Sequence, residues 1–237
     1  MITSNTLESE SLLMCTTKKD YDIMHQTTDL EMEKNILEEN EKIAKKNRDL
    51  FSEKNVRAFN ILGAIGSGKT SIIEKLKERM DEQVGAIAGD LNGKDDYHRF
   101  KEKGMSAVAI NTGKDCHLDA HYVTHALEDL DLNALDYLFI ENVGNLICPV
   151  DFPLGTESDL VIVSVTEGDD MIRKHPLIFS RSDLTILNKI DLAEPMDVDI
   201  EIIERDFEEV NPHGTLIKTN AKEGYGIDEV AEHLNLP

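Results

Sequence analysis

Apolar residues fall in short blocks along most of the chain, and two spacings alternate. Residues 56–62, 84–88, 107–110, 137–141, 160–165, 184–187 and 215–218 are compact runs of aliphatic side chains, the pattern of strands buried on both faces. Between them lie segments with helical spacing, such as residues 70–80 with Ile72, Ile73 and Leu76. Alternation of this kind predicts an α/β fold: a mainly parallel sheet of about seven strands flanked by helices. Ahead of it, residues 30–51 carry Met32, Ile36, Ile43, Leu50 and Phe51 among many Glu and Lys, which predicts an amphipathic helix packed on the domain or on a partner. Residues 1–30 are rich in Ser, Thr, Asp and Glu without periodicity and read as a poorly ordered extension. The expected divisions are 1–30, 31–55 and 56–237.

Composition narrows the partners. The 237 residues suffice for one sizeable α/β domain with an appendage. Residues 1–55 hold 12 acidic and 8 basic side chains, so most of the net charge of −22 lies in the folded part. A nucleic-acid-binding protein is expected to have the opposite sign. No run of about eighteen apolar residues could span a bilayer, and no basic segment leads into an apolar one at the N-terminus. The expectation is a soluble, cytoplasmic protein with neither nucleic acid nor membrane as partner. Cys15, Cys116 and Cys148 are too few for a disulfide framework, and Cys15, with only His25 near it, reads as incidental.

Candidate chemistry begins where the first run ends. Gly63-Ala64-Ile65-Gly66-Ser67-Gly68-Lys69-Thr70, with Ser71 following, is a phosphate-binding loop between a strand and a helix. Its glycines let successive N–H groups turn onto a polyanion at a helix N-terminus. Lys69 is placed to reach the β- and γ-phosphates and the Thr70 hydroxyl to ligate Mg²⁺. The competing reading is a glycine turn that only caps a helix. Asn188-Lys189-Ile190-Asp191 supplies the base: the Asp191 carboxylate can accept two hydrogen bonds from guanine that adenine does not offer, Lys189 can cover the ring and Asn188 can tie this loop to the phosphate loop. GTP and GDP are therefore the expected ligands. Thr219-Asn220-Ala221-Lys222 is a weaker base-contacting loop, with Ala221 and Lys222 in the matching places and Asn220 a departure from the usual Ser-Ala-Lys. Glu141, closing the run Tyr137–Glu141, and Asp90 are candidate Mg²⁺ acids, while Gly144 can sense the γ-phosphate through its N–H. Either acid could instead be a helix cap or a solvated loop residue. Lys69, Thr70 and Glu141 form the expected catalytic set for hydrolysis of GTP to GDP and phosphate.

The second informative segment is Asn111-Thr112-Gly113-Lys114-Asp115-Cys116-His117-Leu118-Asp119-Ala120-His121. A thiol and an imidazole stand side by side, His117, His121 and His125 recur at intervals of four, and Cys148 lies just beyond Gly144. Cysteine with histidine suits Zn²⁺ or Ni²⁺ rather than Mg²⁺. One subunit is short of ligands for a closed tetrahedral site, and a symmetric pair of subunits would double the set. Cys116 and Cys148 could also be small buried apolar groups, and His125 an ordinary helix-surface residue.

Taken together, the phosphate loop, the Cys116-His117 segment, Glu141-Asn142-Val143-Gly144-Asn145-Leu146-Ile147-Cys148-Pro149, Thr166-Glu167-Gly168-Asp169-Asp170 and Asn188-Lys189-Ile190-Asp191 resemble the HypB family of hydrogenase nickel-incorporation GTPases, a SIMIBI-class branch of the P-loop NTPase fold. The resemblance covers about residues 35–237. It implies that Cys116, His117 and Cys148 bind nickel or zinc, with His121 as an additional ligand, in a GTP-dependent homodimer. It also implies a nickel metallochaperone partner, HypA, and the nickel–iron hydrogenase large-subunit precursor as client. The Cys-rich or His-rich N-terminal nickel store of some members has no counterpart here. Two alternatives stand beside this reading: a metal-binding scaffold or storage protein with a structural nucleotide, and a urease-type nickel maturation GTPase.

Overall fold

The computed structural model describes residues 18–91 and 93–237; the first part of the predicted extension, with Cys15, lies outside them. Seven strands form one parallel sheet: β1 (Arg57–Gly63), β2 (Val84–Asp90), β3 (Ser106–Asn111), β4 (Tyr137–Glu141), β5 (Ser158–Ser164), β6 (Leu184–Asn188) and β7 (Leu216–Lys218). Their order across the sheet is β3-β2-β4-β1-β5-β6-β7. Period-two alternation sorts side chains between two covered faces. Phe59, Ile61, Phe139 and Ile162 pack with Ile72, Ile73 and Leu76 of α2 (Lys69–Lys77) and with Val230 and Leu234 at the C-terminal end. Ala58, Leu138 and Ile140 pack on the other side with Val123 and Leu127 of α4 (Ala120–Glu128), the helix that follows α3 (Asp95–Glu102). Further along, Val161, Val163 and Leu187 meet Ile178 and Phe179 of α6 (Pro176–Arg181), beyond the short α5 (Met171–Lys174), and Ile203 and Phe207 of α7 (Ile200–Val210). Helix α8 (Ile227–His233) closes the chain. Chain direction from β1 splits to both sides of the sheet, so a crevice opens beyond the carboxyl ends of β1, β4 and β5.

The N-terminal helix is longer than its amphipathic stretch suggests. α1 runs Lys18–Lys54 because no Gly or Pro interrupts the chain there. Met32 and Ile36, expected on an apolar face, are exposed. From Asn40 onward the docking face is Asn40, Ala44, Asn47 and Phe51, all buried. Asparagines, rather than aliphatics, make the specific contacts. Asn47 Nδ2 donates to the carbonyls of Ala120 (2.9 Å) and Leu154 (3.2 Å), and Thr124 Oγ1 donates to Asn47 Oδ1 (2.8 Å). A side chain at Gly155 would collide with the Ala44 carbonyl, so glycine permits this close approach.

Candidate nucleotide and metal site

The phosphate loop leaves β1 and enters α2 at the crevice. A cavity of about 410 Å³ is lined there by Gly66, Gly68, Lys69, Thr70, Asp90 and Glu141, among others. Lys69 and Glu141 are buried, with Nζ and Oε1 3.9 Å apart. Thr70 Oγ1 sits 2.7 Å from Asp96 Oδ1 and 3.1 Å from Glu141 Oε1. Burial pushes Glu141 up to about 7, against the Lys69 charge, which pulls it down. Its Oε2 and the Ser67 hydroxyl are buried without hydrogen-bond partners. Asn188 ties three loops together: Nδ2 donates to Ser67 O (2.9 Å), while Oδ1 accepts from Thr219 Oγ1 and Ala221 N, each at 3.1 Å. Lys189, in the left-handed region at φ 60°, donates to Gly66 O (2.6 Å). Asp191 and Lys222 are exposed beyond the ends of β6 and β7. A larger cavity near Arg48, Val56 and Glu157 lies at the opposite, amino ends of β1 and β5 and collects none of these motif residues.

Cys116, His117 and Cys148 converge although the third stands 32 and 31 positions after the first two, and their ligand atoms all lie within 4.8 Å of one another. Pro149 opens the 3₁₀ turn Cys148–Asp151 that holds the second thiol. His117 is half-buried, its ring 4.0 Å from that of Phe152, and burial lowers its pKa, so the neutral, metal-binding form prevails at neutral pH. The adjacent Cys148 sulfur, with burial second, raises the Cys116 pKa. Two thiols this close resist joint ionisation unless a cation neutralises them, which is the behaviour of a metal-thiolate pair. His121 lies outside this cluster, on the exposed face of α4 beside His125. Hydrogen bonds join the thiol loop to the loop after β4. Asn142 Oδ1 accepts from Leu118 N (2.9 Å), and Asn145 Nδ2 donates to Cys116 O (3.2 Å).

Residues 57–218 match the family model described as CobW/HypB/UreG, nucleotide-binding domain. The chain belongs to this family. It is 48% identical over 213 residues to the "Probable hydrogenase maturation factor HypB" of Methanocaldococcus jannaschii, with 89% of this chain and 96% of that protein covered. Its fold is similar to the crystal structure of the HypB maturation factor from Archaeoglobus fulgidus, with TM-score 0.78, 47% identity and 83% and 97% of the two chains covered. The Helicobacter pylori HypB structure in complex with nickel superposes with TM-score 0.80 at 31% identity, covering 83% and 94%. HypB is thus the branch of the family to which this chain belongs.

In this HypB chain the phosphate loop meets the loop after β4, and glycine makes that possible: any side chain on Gly144 would strike Ile65. Sequence reasoning missed Asp96, whose carboxylate reaches Thr70 from the first turn of α3. The Asp95-Asp96 pair opening a helix just after β2 was the available signal. It also missed Asn142, which stands next to Glu141 and looks like a spacer until its side chain is seen to bridge two loops. Arg99 was missed as well; it forks onto Glu74 and lies 3.6 Å from Asp96, holding α3 against α2. Asp90 lines the crevice and accepts from Leu91 N (2.6 Å), so it both shapes its own turn and faces the site.

Proposed function

We propose that this chain is a GTP-hydrolysing switch that couples nucleotide state and dimerisation to delivery of nickel, its cargo, to the nickel–iron hydrogenase large-subunit precursor, receiving the ion from a metallochaperone of the HypA kind. The observation that carries the reading is the pair of side-chain hydrogen bonds from Asn142 and Asn145, which connect the nucleotide-facing loop to Cys116 and Leu118. Gly144, packed on Ile65, is followed within the same loop by Cys148. A γ-phosphate that repositions Gly144 would therefore move one thiol directly and the other through Asn145.

The residues fit a nucleotide with Mg²⁺. Thr70, Glu141, Asp90 and Asp96 offer only oxygen donors, as Mg²⁺ requires, and Glu141 Oε2 is a buried acceptor without a partner. When bound, the ion supplies neutralisation of phosphate charge. Lys69 brings a buried cation to the same end of the crevice, the α2 N-terminus presents backbone N–H groups to the phosphates, and Asp191 reads the base. Three ligands per chain leave a tetrahedral nickel or zinc site incomplete, and the exposure of Ile65 and Ile147 around the same loops supports its completion at a dimer interface.

Nickel stoichiometry and molar mass measured on one sample, with GDP and with a non-hydrolysable GTP analogue, test the reading. The expected result is a nucleotide-dependent change in both, lost in Cys116→Ala/Cys148→Ala. Equal nickel affinity and mass in the two nucleotide states would overturn it.

A further inference from the structure

We infer that Glu167 is a positioning residue of the guanine-nucleotide site: the carboxylate oxygen that its own turn leaves unused holds Lys189, the side chain that covers the base. The inference rests on the guanine-nucleotide reading above. β5 lies between β1 and β6, with Gly63 beside Ile162 and Asn188 beside Ser164. The segment leaving β5 therefore stands between the phosphate loop and the base-reading loop. It enters at once the 3₁₀ turn Val165–Glu167, which a capping box closes: Glu167 Oε1 accepts from Ser164 N (2.9 Å), and Ser164 Oγ accepts from Thr166 N (3.2 Å).

A capping box engages one carboxylate oxygen. The other, Glu167 Oε2, is buried and has no hydrogen-bond partner. Burying a charged acceptor without a donor is unfavourable, and the turn alone gives no reason for it, because a glutamine oxygen caps as well. The reason lies in the cations that face it. Burial raises the Glu167 pKa, while the bond from Ser164 N and the charges of Lys189 and Lys69 pull it down. Lys69 is already engaged, by Gly63 O, Ala64 O and the Glu141 carboxylate. The Lys189 ammonium has three donors, and Gly66 O takes one of them (2.6 Å). As the base seats beneath the lysine stem, Glu167 Oε2 becomes a second acceptor for this ammonium, and a charged one. Held between the phosphate loop and the β5 turn, the stem stays over the ring, and less side-chain freedom is lost on binding.

Titration of the full-length protein with GDP and magnesium chloride, in a double-mutant cycle of Glu167→Gln and Lys189→Met, tests the inference. Glu167→Gln keeps the oxygen that accepts from Ser164 N. Lys189→Met keeps an apolar stem for the ring and removes only the ammonium, so binding stays measurable. Glu167→Gln should weaken GDP binding about tenfold in the parent and no more than about twofold in the Lys189→Met background. Equal losses in the two backgrounds would overturn the inference, since the carboxylate would then act without the lysine. Glu167→Ala removes the cap as well and separates a purely structural role. Binding weakened by the alanine change and unchanged by Glu167→Gln would also overturn it. A parent protein without affinity for GDP would overturn the guanine-nucleotide reading and this inference together, whereas tight binding with an additive cycle would overturn this inference alone.

Discussion

Glu141 is a side chain whose chemistry is strongly altered by its surroundings. Burial raises its pKa from 4.5 to about 7. Between those values the folded, nucleotide-free protein holds a proton that the unfolded chain has lost, so this group's contribution to stability is full below about pH 4.5 and falls as pH rises to about 7. The loss is on the order of 3 kcal/mol. Glu141→Gln should remove that part of the slope. Urea melts at pH 5 and pH 8 with a chelator present check this, and identical pH dependence in the two proteins would refute it. Lys69→Ala should lower GTP affinity below detection by calorimetry without loss of the folded state: the loop gives up the lysine's bonds to Gly63 O (3.3 Å) and Ala64 O (3.2 Å) but is still held by Asn188 at Ser67 O.

α1 and the loop after β4 show how single elements are placed. α1 docks through buried asparagines whose partners are backbone carbonyls at the start of α4 and ahead of β5, so its register is set by hydrogen bonds as much as by apolar contact. Asn47→Ala removes the side-chain donor to the Ala120 and Leu154 carbonyls and one of the two acceptors of the Thr124 hydroxyl, and should cost about 2 kcal/mol, read as a lower urea midpoint at unchanged m value. Asn142 bonds to Leu118 N, Val143 N and Asn60 Oδ1. Asn145→Ala removes the bond to Cys116 O and the bond that Asn145 Oδ1 accepts from Ile147 N, two against the three that Asn142 makes, and is the milder probe of communication between loops. Nickel affinity in this variant should differ less between GDP and a GTP analogue than in the parent. A difference as large as the parent's would show that the asparagine is not the connection.

At the scale of the whole molecule, the sheet gathers its functional side chains at one end. Gly63, Asp90, Glu141 and Asn188 close their strands, and Asn111 ends the strand that leads to Cys116. Ile65 and Ile147 are exposed at this end, 80% and 66%, where the proposed contact between copies would lie. Ile147→Glu should shift the mass seen by light scattering with the GTP analogue toward the monomer while leaving GTP binding unchanged. Among the described residues no helix is long and apolar enough to cross a membrane.

The strands, their parallel arrangement and the nucleotide motifs were legible in the amino-acid sequence because each depends on local information: buried strands need continuous apolar runs, and a phosphate loop needs its glycines, lysine and threonine in immediate succession. The docking face of α1 was not, since asparagines on a helix reveal partners only when distant carbonyls are brought to them. Cys148 was legible by type and by its place after Gly144, but its convergence with Cys116 and His117 is decided by the sheet order, which sets β3 and β4 on either side of β2 so that the loops leaving them meet. The same holds for Asp96 at Thr70 and for Glu141, whose high pKa belongs to a burial that no linear pattern contains. Local order wrote the elements; long-range packing chose which polar groups face one another, and with that the chemistry at the site.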